Sequence, residues 1–341
     1  MLSGNQINGR GFQMHYTKAV TGGILASLLI AGSASAQDIT MRLHTLVQDP
    51  HPYNDMAAFM ADEISARTNG AVAIKLFDAG QLGKDDAVIG EMGLGTIDMM
   101  ISSTNNAASL VPEFQAFSIP YLFTGFDDLL ARVGPGTTGE AYYQGVVADR
   151  GLNIHLLALG GSGSRNMSNS IGPVNELADI QGIKMRTPPS PMISKTWEAL
   201  GTLPVTVAWG ELYAGVQTGV AQGLESSIPG NSGSKLYEVA PYLAMTAHTI
   251  QVNHVSISDR AWNKLDDGQQ QTFRDVAAEA SKLGVERAQF YEAELVKTLE
   301  SDHGVTVTYP DVSEFQDKLG SLQDELAVEM SLEPALAALA N

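Results

Sequence analysis

One β–α–β unit decides the fold, and it occupies residues 72–101, which read VAIKLFDAGQLGKDDAVIGEMGLGTIDMMI. Apolar residues alternate with small or charged ones over 72–76, which is typical of a strand with one buried face. Asp85 and Asp86 are N-cap candidates for the helix that follows. Residues 97–101 form a largely apolar run, as expected for a strand that is covered on both faces.

The same alternation continues on both sides of this unit. A strand is predicted over 38–45 and a helix begins at 51–52, so the first third of the chain alternates β, α, β, α, β. A second α/β set is predicted further along, with strands at 183–186, 203–207 and 221–226 and helices at 193–200 and 211–219. This order indicates parallel sheets flanked by helices, in an α/β protein with two lobes. The Gly/Ser-rich residues 160–164 are expected to bend and form the first crossing between the lobes.

A long helix is predicted near the C-terminus, over residues 266–301. Its apolar residues recur mostly at three- and four-residue steps. At 1.5 Å per residue it would span roughly 50 Å, which exceeds one small domain, so we expect it to brace both lobes. Gly284 is its expected weak point or bend. The tail over 312–339 reads as amphipathic helix that packs on one lobe.

The N-terminus has the features of a secretory signal peptide. Residues 1–36 contain the basic residues Arg10 and Lys18, no acidic residue, and an apolar run over 19–32. They end in Ala-Ser-Ala, a small-x-small cleavage site. The run is too short to span a bilayer. We therefore expect cleavage after Ala36 and a periplasmic protein, with Met14 as a second candidate start codon.

The charge balance limits the classes of partner. The 341 residues include 20 Lys and Arg and 38 Asp and Glu, for a formal net charge of −18. Such an acidic surface repels nucleic acid and anionic membranes, and we exclude both as partners. The chain has no cysteine, which excludes disulfides and thiol chemistry. An anionic ligand would therefore need a few focused cationic groups.

A series of short motifs runs in order along the chain. In the first lobe they are 78–83 (DAGQLG), 95–99 (GTIDM) and 119–123 (IPYLF). In the second lobe they are 163–165 (GSR), 177–188 (LADIQGIKMRTP), 199–201 (ALG), 211–213 (ELY), 219–225 (GVAQGLE) and 237–242 (YEVAPY). Each motif alone has low specificity, but the ordered set resembles the solute-binding proteins of TRAP transporters, the DctP-type family.

This resemblance implies the periplasmic binding protein fold: two lobes joined by crossing strands, a cleft between them that shuts on one ligand, and a long scaffold helix. We assign 37–162 plus 252–291 to the N-terminal lobe and 163–251 plus 292–341 to the C-terminal lobe. The implied partners are a small organic anion and the small and large integral membrane subunits of an ion-gradient-driven TRAP transporter. We expect a monomer. A receptor for an ABC importer or a sensor remains the alternative.

Two arginines are the leading ligand-binding candidates. Arg186 ends a predicted strand, and ligands of open α/β folds sit at the carboxyl ends of strands. A guanidinium matches a carboxylate through two parallel hydrogen bonds, and the resemblance implies this role for Arg186. The alternative is a structural arginine paired with Asp179. Arg165 follows the predicted bend and would either touch the ligand or shape the pocket from behind, with Glu225 as its nearest candidate carboxylate.

Three further candidates lie in the second lobe. The resemblance places Trp209 where relatives often have an aromatic residue against the ligand; a core tryptophan is the alternative. Glu225 matches a glutamate that the family has in a Gln-Glu-Asn-Pro stretch. Here Ser226 replaces the asparagine, which puts a sialic-acid-like set of contacts in doubt. The ligand could be a sugar acid, an aromatic or keto acid, a sulfonate or an ectoine-like zwitterion.

The first lobe offers Thr45, Ser103 and Thr104 at strand ends that face the expected cleft, as hydrogen-bonding candidates or as turn residues. No histidine or carboxylate spacing indicates a metal, and no cofactor is expected. Residues 160–164 fail the G-x-S-x-G pattern at the last position, and 80–84 are too short for a P-loop. We therefore predict a binding protein and not an enzyme.

Overall fold

The computed structural model describes residues 39–340. The signal-peptide prediction for residues 1–36 therefore lies outside the described residues. Nine strands are present in this part of the chain. They are β1 (Ile39–Thr45), β2 (Val72–Phe77), β3 (Met99–Ser103), β4 (Ile154–Asn169), β5 (Lys184–Thr187), β6 (Leu203–Thr206), β7 (Gly223–Ser227), β8 (Tyr242–Ser258) and β9 (Thr306–Thr308).

Helices connect these strands. They are α1 (Pro52–Arg67), α2 (Asp85–Gly93), α3 (Thr104–Ala107), α4 (Phe126–Val133), α5 (Thr138–Asp149), α6 (Pro191–Ala199), α7 (Leu212–Gln217), α8 (Ile228–Gly233), α9 (Asp259–Trp262), α10 (Asp267–Ser301), α11 (Ser313–Leu319), α12 (Leu322–Glu329) and α13 (Glu333–Leu339). Shorter 3-10 turns include Trp209–Glu211. No helix within residues 39–340 combines the length and apolar character needed to cross a membrane.

The sheet shows how two lobes arise from one chain. Its strand order is β2-β1-β3-β8-β4-β7-β5-β6, with β9 paired to β8. Strands β1, β2 and β3 are parallel at one end, and β5, β6 and β7 are parallel at the other. The long strands β4 and β8 run antiparallel between these halves and belong to both. The predicted two-lobed α/β fold with crossing strands is therefore confirmed, while the lobe boundaries stay a prediction.

Residues 160–164 do not form the expected bend. They lie inside β4, whose pairing with β8 continues on both sides of a register shift between Gly161 and Ser164. Gly163 has φ of 129°, a conformation that side-chain-bearing residues avoid. A β-bulge twists a strand without ending it, so the glycines accommodate the crossing between lobes within one continuous strand.

Helix α10 braces both lobes, as predicted. Phe273 near its start packs in the core around β1 and α1, and Leu299 near its end packs with Leu243 of β8. Gly284 does not break the helix. A Cβ at this position would lie 2.6 Å from Met56 Sδ, so the glycine instead allows α1 to approach α10 closely.

The tail differs from its prediction in one respect. It is helical, but α11 buries Phe315 in the core of the second lobe, whereas α12 and α13 bury Leu326 and Leu339 against residues of the first, such as Phe114. The expectation of packing on one lobe was wrong. Gly320 and Ser331, both at positive φ, separate the three helices and redirect the chain across the two cores.

Candidate functional site

A cavity lies between the two lobes, at the carboxyl ends of the parallel strands. The space between the walls, including the part open to solvent, is about 430 Å³. Loops and helices of the first lobe supply one wall, the second lobe supplies the other, and β4 and β8 supply the floor. The lining residues are Leu46, Val47, His51, Tyr53, Asp85, Ser102, Ser103, Asn105, Asn106, Arg165, Arg186, Pro188, Trp209, Ser226, Ser227, Gly230 and Gln251.

Arg186 lies in β5 and reaches the cavity wall with only 2% of its surface exposed. Its Nε donates to the carbonyl of Val207 (2.8 Å), and this is its one hydrogen bond within residues 39–340. No carboxylate in that range lies within ion-pair distance of it. Asp179 instead accepts hydrogen bonds from the backbone of Asn175 and Glu176, which contradicts the structural alternative of an Arg186–Asp179 pair. The outer nitrogens of Arg186 therefore remain available to a ligand.

Burial and neighbouring charges set the electrostatics of Arg186. Desolvation lowers its pKa to about 10, with the charge of Glu225 opposing this shift and that of Arg165 adding to it. The guanidinium still carries its charge at neutral pH. A buried cation without a counter-ion is energetically costly, so an anion that enters the cavity would relieve this cost.

Arg165 also lines the cavity, but its charge is neutralised by the protein. Its Nη2 donates to Glu225 Oε1 (2.5 Å), its Nε donates to Oε2, and its Nη1 donates to Gln251. Burial alone would raise the pKa of Glu225, but the charge of Arg165 and the hydrogen bonds from His248 and Arg165 lower it to about 2. Glu225 is thus the carboxylate that holds Arg165, and Arg186 is left as the uncompensated cation.

Trp209 packs against the guanidinium of Arg186. The Cζ atom of Arg186 lies 5.6 Å from the centre of the Trp209 ring, a cation–π distance. The indole is half-buried and lies in the 3-10 turn that precedes α7. Gly230 leaves room for it, because a Cβ there would come within 3.3 Å of Trp209 Cη2. The ring therefore orients the guanidinium and covers one side of the cavity.

The structure separates the remaining candidates into two groups. Ser226 and Ser103 line the cavity. Glu225, Thr45 and Thr104 do not. The Thr45 hydroxyl donates to Asn54 Oδ1 (2.6 Å) and that of Thr104 donates to the carbonyl of Val252 (3.1 Å), so both hydroxyls serve the packing of the first lobe.

Sequence reasoning missed part of the cavity wall. Asp85 was interpreted as a helix cap, yet Lys84 occupies the N-cap position and the Asp85 carboxylate accepts hydrogen bonds from Ser102 and Asn106. Tyr53 and Gln251 were not singled out at all. Gln251 Nε2 donates to the Tyr53 hydroxyl (2.8 Å), and burial raises the pKa of that hydroxyl to about 12.

One ion pair joins the two walls at the cavity mouth. Lys84 Nζ, just before α2 in the first lobe, lies 2.6 Å from Glu211 Oε1, at the end of the Trp209 turn in the second. Both side chains are exposed, so the pair contributes little to stability. It places the N-terminus of α2 opposite Trp209.

Comparison with known proteins agrees with this architecture. The model of the DctP family, described as bacterial extracellular solute-binding protein family 7, matches residues 43–329. The sialic acid-binding periplasmic protein SiaP of Vibrio cholerae is 28% identical over 273 residues, covering 80% of this chain and 83% of that protein.

Solved structures of TRAP periplasmic solute-binding proteins superpose on most of the chain. One from Chromohalobacter salexigens with bound D-glucuronate has a TM-score of 0.81 at 26% identity and covers 88% of this chain and 98% of that chain. Another, from Roseobacter denitrificans with bound L-galactonate, has a TM-score of 0.79 at 26% identity, with coverages of 90% and 100%.

Proposed function

Since this chain belongs to the DctP family of bacterial extracellular solute-binding proteins, we propose that it binds a small organic acid between its lobes and delivers it to a TRAP transporter. One observation carries the carboxylate part of this proposal. Arg186 is buried at the cavity wall and has no carboxylate partner within residues 39–340. The relatives that bind sialic acid, D-glucuronate or L-galactonate all take a carboxylated sugar derivative, which supports the same ligand class.

The binding step that we propose is hinge closure about β4 and β8. The acid first meets Arg186 on the second lobe, where the guanidinium and the carboxylate form two parallel charged hydrogen bonds. The first lobe then closes and adds polar groups such as Ser103. Closure expels water, which strengthens the ion pair because the effective dielectric constant falls.

The location and partners follow from the same proposal. We propose that residues 1–36 are a signal peptide removed after Ala36, and that the mature chain acts in the periplasm as a monomer. Its lobes would then be 37–162 plus 252–291 and 163–251 plus 292–341, except that α12 and α13 pack on the first lobe. The proposed receivers are the small and large integral membrane subunits of the transporter. Release to them, without turnover of the ligand, completes its role.

A thermal-shift screen of the mature protein tests the ligand class. We expect small organic acids to be the compounds that raise the melting temperature, since ligand at 100 times its dissociation constant adds about 2.7 kcal/mol of stability. Neutral isosteres, such as the amide or the alcohol of each responding acid, serve as matched controls and should give no shift. A response to compounds without a carboxylate, and none to carboxylates, would contradict the proposal.

A further inference from the structure

We propose that Asp85 makes this site selective for monocarboxylates that carry a hydrogen-bond donor away from their carboxylate, and that it excludes dicarboxylates. The donor would be a hydroxyl, as in a hydroxy acid, or an ammonium or amidinium, as in a zwitterion. This inference rests on the proposed function, because it assumes that Arg186 holds the ligand's carboxylate. The inference adds that the other end of the ligand must carry a hydrogen-bond donor.

Three side chains and a helix N-terminus surround the carboxylate of Asp85. Its side chain is almost fully buried, and Oδ2 accepts from the hydroxyl of Ser102 and from Asn106 Nδ2 (2.7 Å). His44 Nε2 lies 3.2 Å from Oδ1. Asp85 is also the first residue of α2, where the positive end of the helix dipole favours negative charge.

These contacts leave one acceptor position free. A carboxylate offers about four lone-pair sites, and hydrogen bonds from Ser102, Asn106 and His44 occupy three of them. Oδ1 receives only the bond from His44, and Asp85 lines the cavity. A ligand hydroxyl or ammonium can therefore donate to Oδ1. A second ligand carboxylate has no proton to offer there.

Asp85 has no lysine or arginine partner in the described part of the chain. Within residues 39–340, no lysine or arginine lies within ion-pair distance of Asp85, and the adjacent Lys84 is paired with Glu211 instead. Arg186 therefore lines the cavity without a carboxylate partner in that range, and Asp85 lines it with His44 as its one neighbour within ion-pair distance there. A like charge facing a buried carboxylate is strongly disfavoured, so the site rejects dianions by repulsion as well as by the missing donor.

The two charges lie on opposite walls. Asp85 comes from α2 of the first lobe and Arg186 from β5 of the second, and both line the same cavity. Trp209 packs on Arg186 and also lines the adjoining opening together with Asp85. A ligand whose carboxylate lies on Arg186 therefore extends past the indole toward Asp85 when the lobes close.

Calorimetry with acids of equal carbon number tests this inference. The pairs are D-erythronate against tartrate and D-galactonate against galactarate, with ectoine as the zwitterionic probe and hexanoate as a monoanion without a donor. For the wild-type protein we expect at least one hydroxy monoacid or ectoine to bind at least 100-fold more tightly than any dicarboxylate and than hexanoate. If a hydroxy monoacid binds more tightly than ectoine, the donor is a hydroxyl; if ectoine binds more tightly, the donor is a cationic nitrogen.

The variant Asp85→Asn should raise the dissociation constant of the preferred monocarboxylate about tenfold or more. It should also reduce the ratio between the dissociation constants of the matched dicarboxylate and that monocarboxylate at least tenfold. Asp86→Asn, an exposed carboxylate in the same helical turn, is the matched control and should change neither value. Equal wild-type affinity for a monoacid and its dicarboxylate would overturn this inference alone, even if the variant failed to fold. If folded Asp85→Asn kept the wild-type ratio of these two dissociation constants, that result would also overturn this inference alone. Binding of no acid at all would overturn the proposed function and this inference with it.

Discussion

Replacement of Arg186 by alanine is expected to weaken binding of the organic acid by about 2–5 kcal/mol, or roughly 30- to several thousand-fold in dissociation constant. The ligand's carboxylate would be buried in the closed cavity without its partner. Arg186→Lys should lie between the alanine variant and the wild type, because an ammonium keeps the charge but lacks the planar fork. Isothermal titration calorimetry with the acid that responds most strongly in the thermal-shift screen measures both effects.

The same variant separates a binding role from a structural one. Because burial already lowers the pKa of Arg186 to about 10, its charge is a cost to the unliganded protein. The alanine variant should therefore unfold at or above the wild-type temperature in the absence of ligand. Arg150→Ala, which breaks a surface pair with Glu113, is the control and should leave affinity unchanged. Wild-type affinity in Arg186→Ala would remove this residue from the site.

The second large effect is expected at Glu225, and it concerns stability. Glu225→Gln should destabilise the unliganded protein by about 3–5 kcal/mol, because it leaves the buried charge of Arg165 without a counter-ion. Urea unfolding at pH 7 measures the loss. The control is Glu329→Gln, which breaks the exposed pair with Lys195 and should cost less than about 1 kcal/mol.

The contribution of Glu225 should depend on pH in a defined direction. Its pKa in the folded protein is about 2, below the ordinary value of 4.5, so its stabilising effect is fully present above about pH 4.5. The effect is lost as the pH falls through about 2, where the folded protein takes up the proton. The difference between wild type and Glu225→Gln should therefore shrink as the pH is lowered through this window. A constant difference would show that the charge of Glu225 is not what stabilises Arg165.

The parallel halves of the sheet could be predicted from residue patterns, whereas the crossing strands were expected only from the family resemblance. Strands β1 to β3 show apolar patterning with helices between them, which is a local signal. In β8, the apolar pattern is interrupted by His248, Gln251, Asn253 and His254, all of which are buried. They are tolerated because the folded chain supplies partners, such as Tyr53 for Gln251, that are distant in sequence.

The glycine-rich residues 160–164 show the opposite error. Their composition indicates a turn, but pairing with β8 on both sides keeps them in one strand, with Gly163 in the bulge. Tertiary pairing therefore overrides local composition here. It also brings Arg165 back to the cavity, one strand away from Glu225.

The site was predictable where strand ends and the family resemblance agreed. Arg186 and Trp209, which were predicted in this way, both line the cavity. Ser103 and Thr104 show the limit of such reasoning, since neighbouring residues at a strand end can face opposite ways and only Ser103 lines the cavity. Asp85 was missed because its first-turn position matches a helix-cap signal, while its role depends on Ser102 and Asn106, which only the fold brings to it.

A crystal structure of the mature protein with its bound acid tests the role of Arg186 most directly. We expect the lobes to be closed and two nitrogens of the Arg186 guanidinium to lie about 2.7–2.9 Å from the two oxygens of the ligand carboxylate. The proposed role of Arg186 would be contradicted if the cavity were occupied and the guanidinium pointed away from the ligand. It would also be contradicted if other groups alone held the carboxylate.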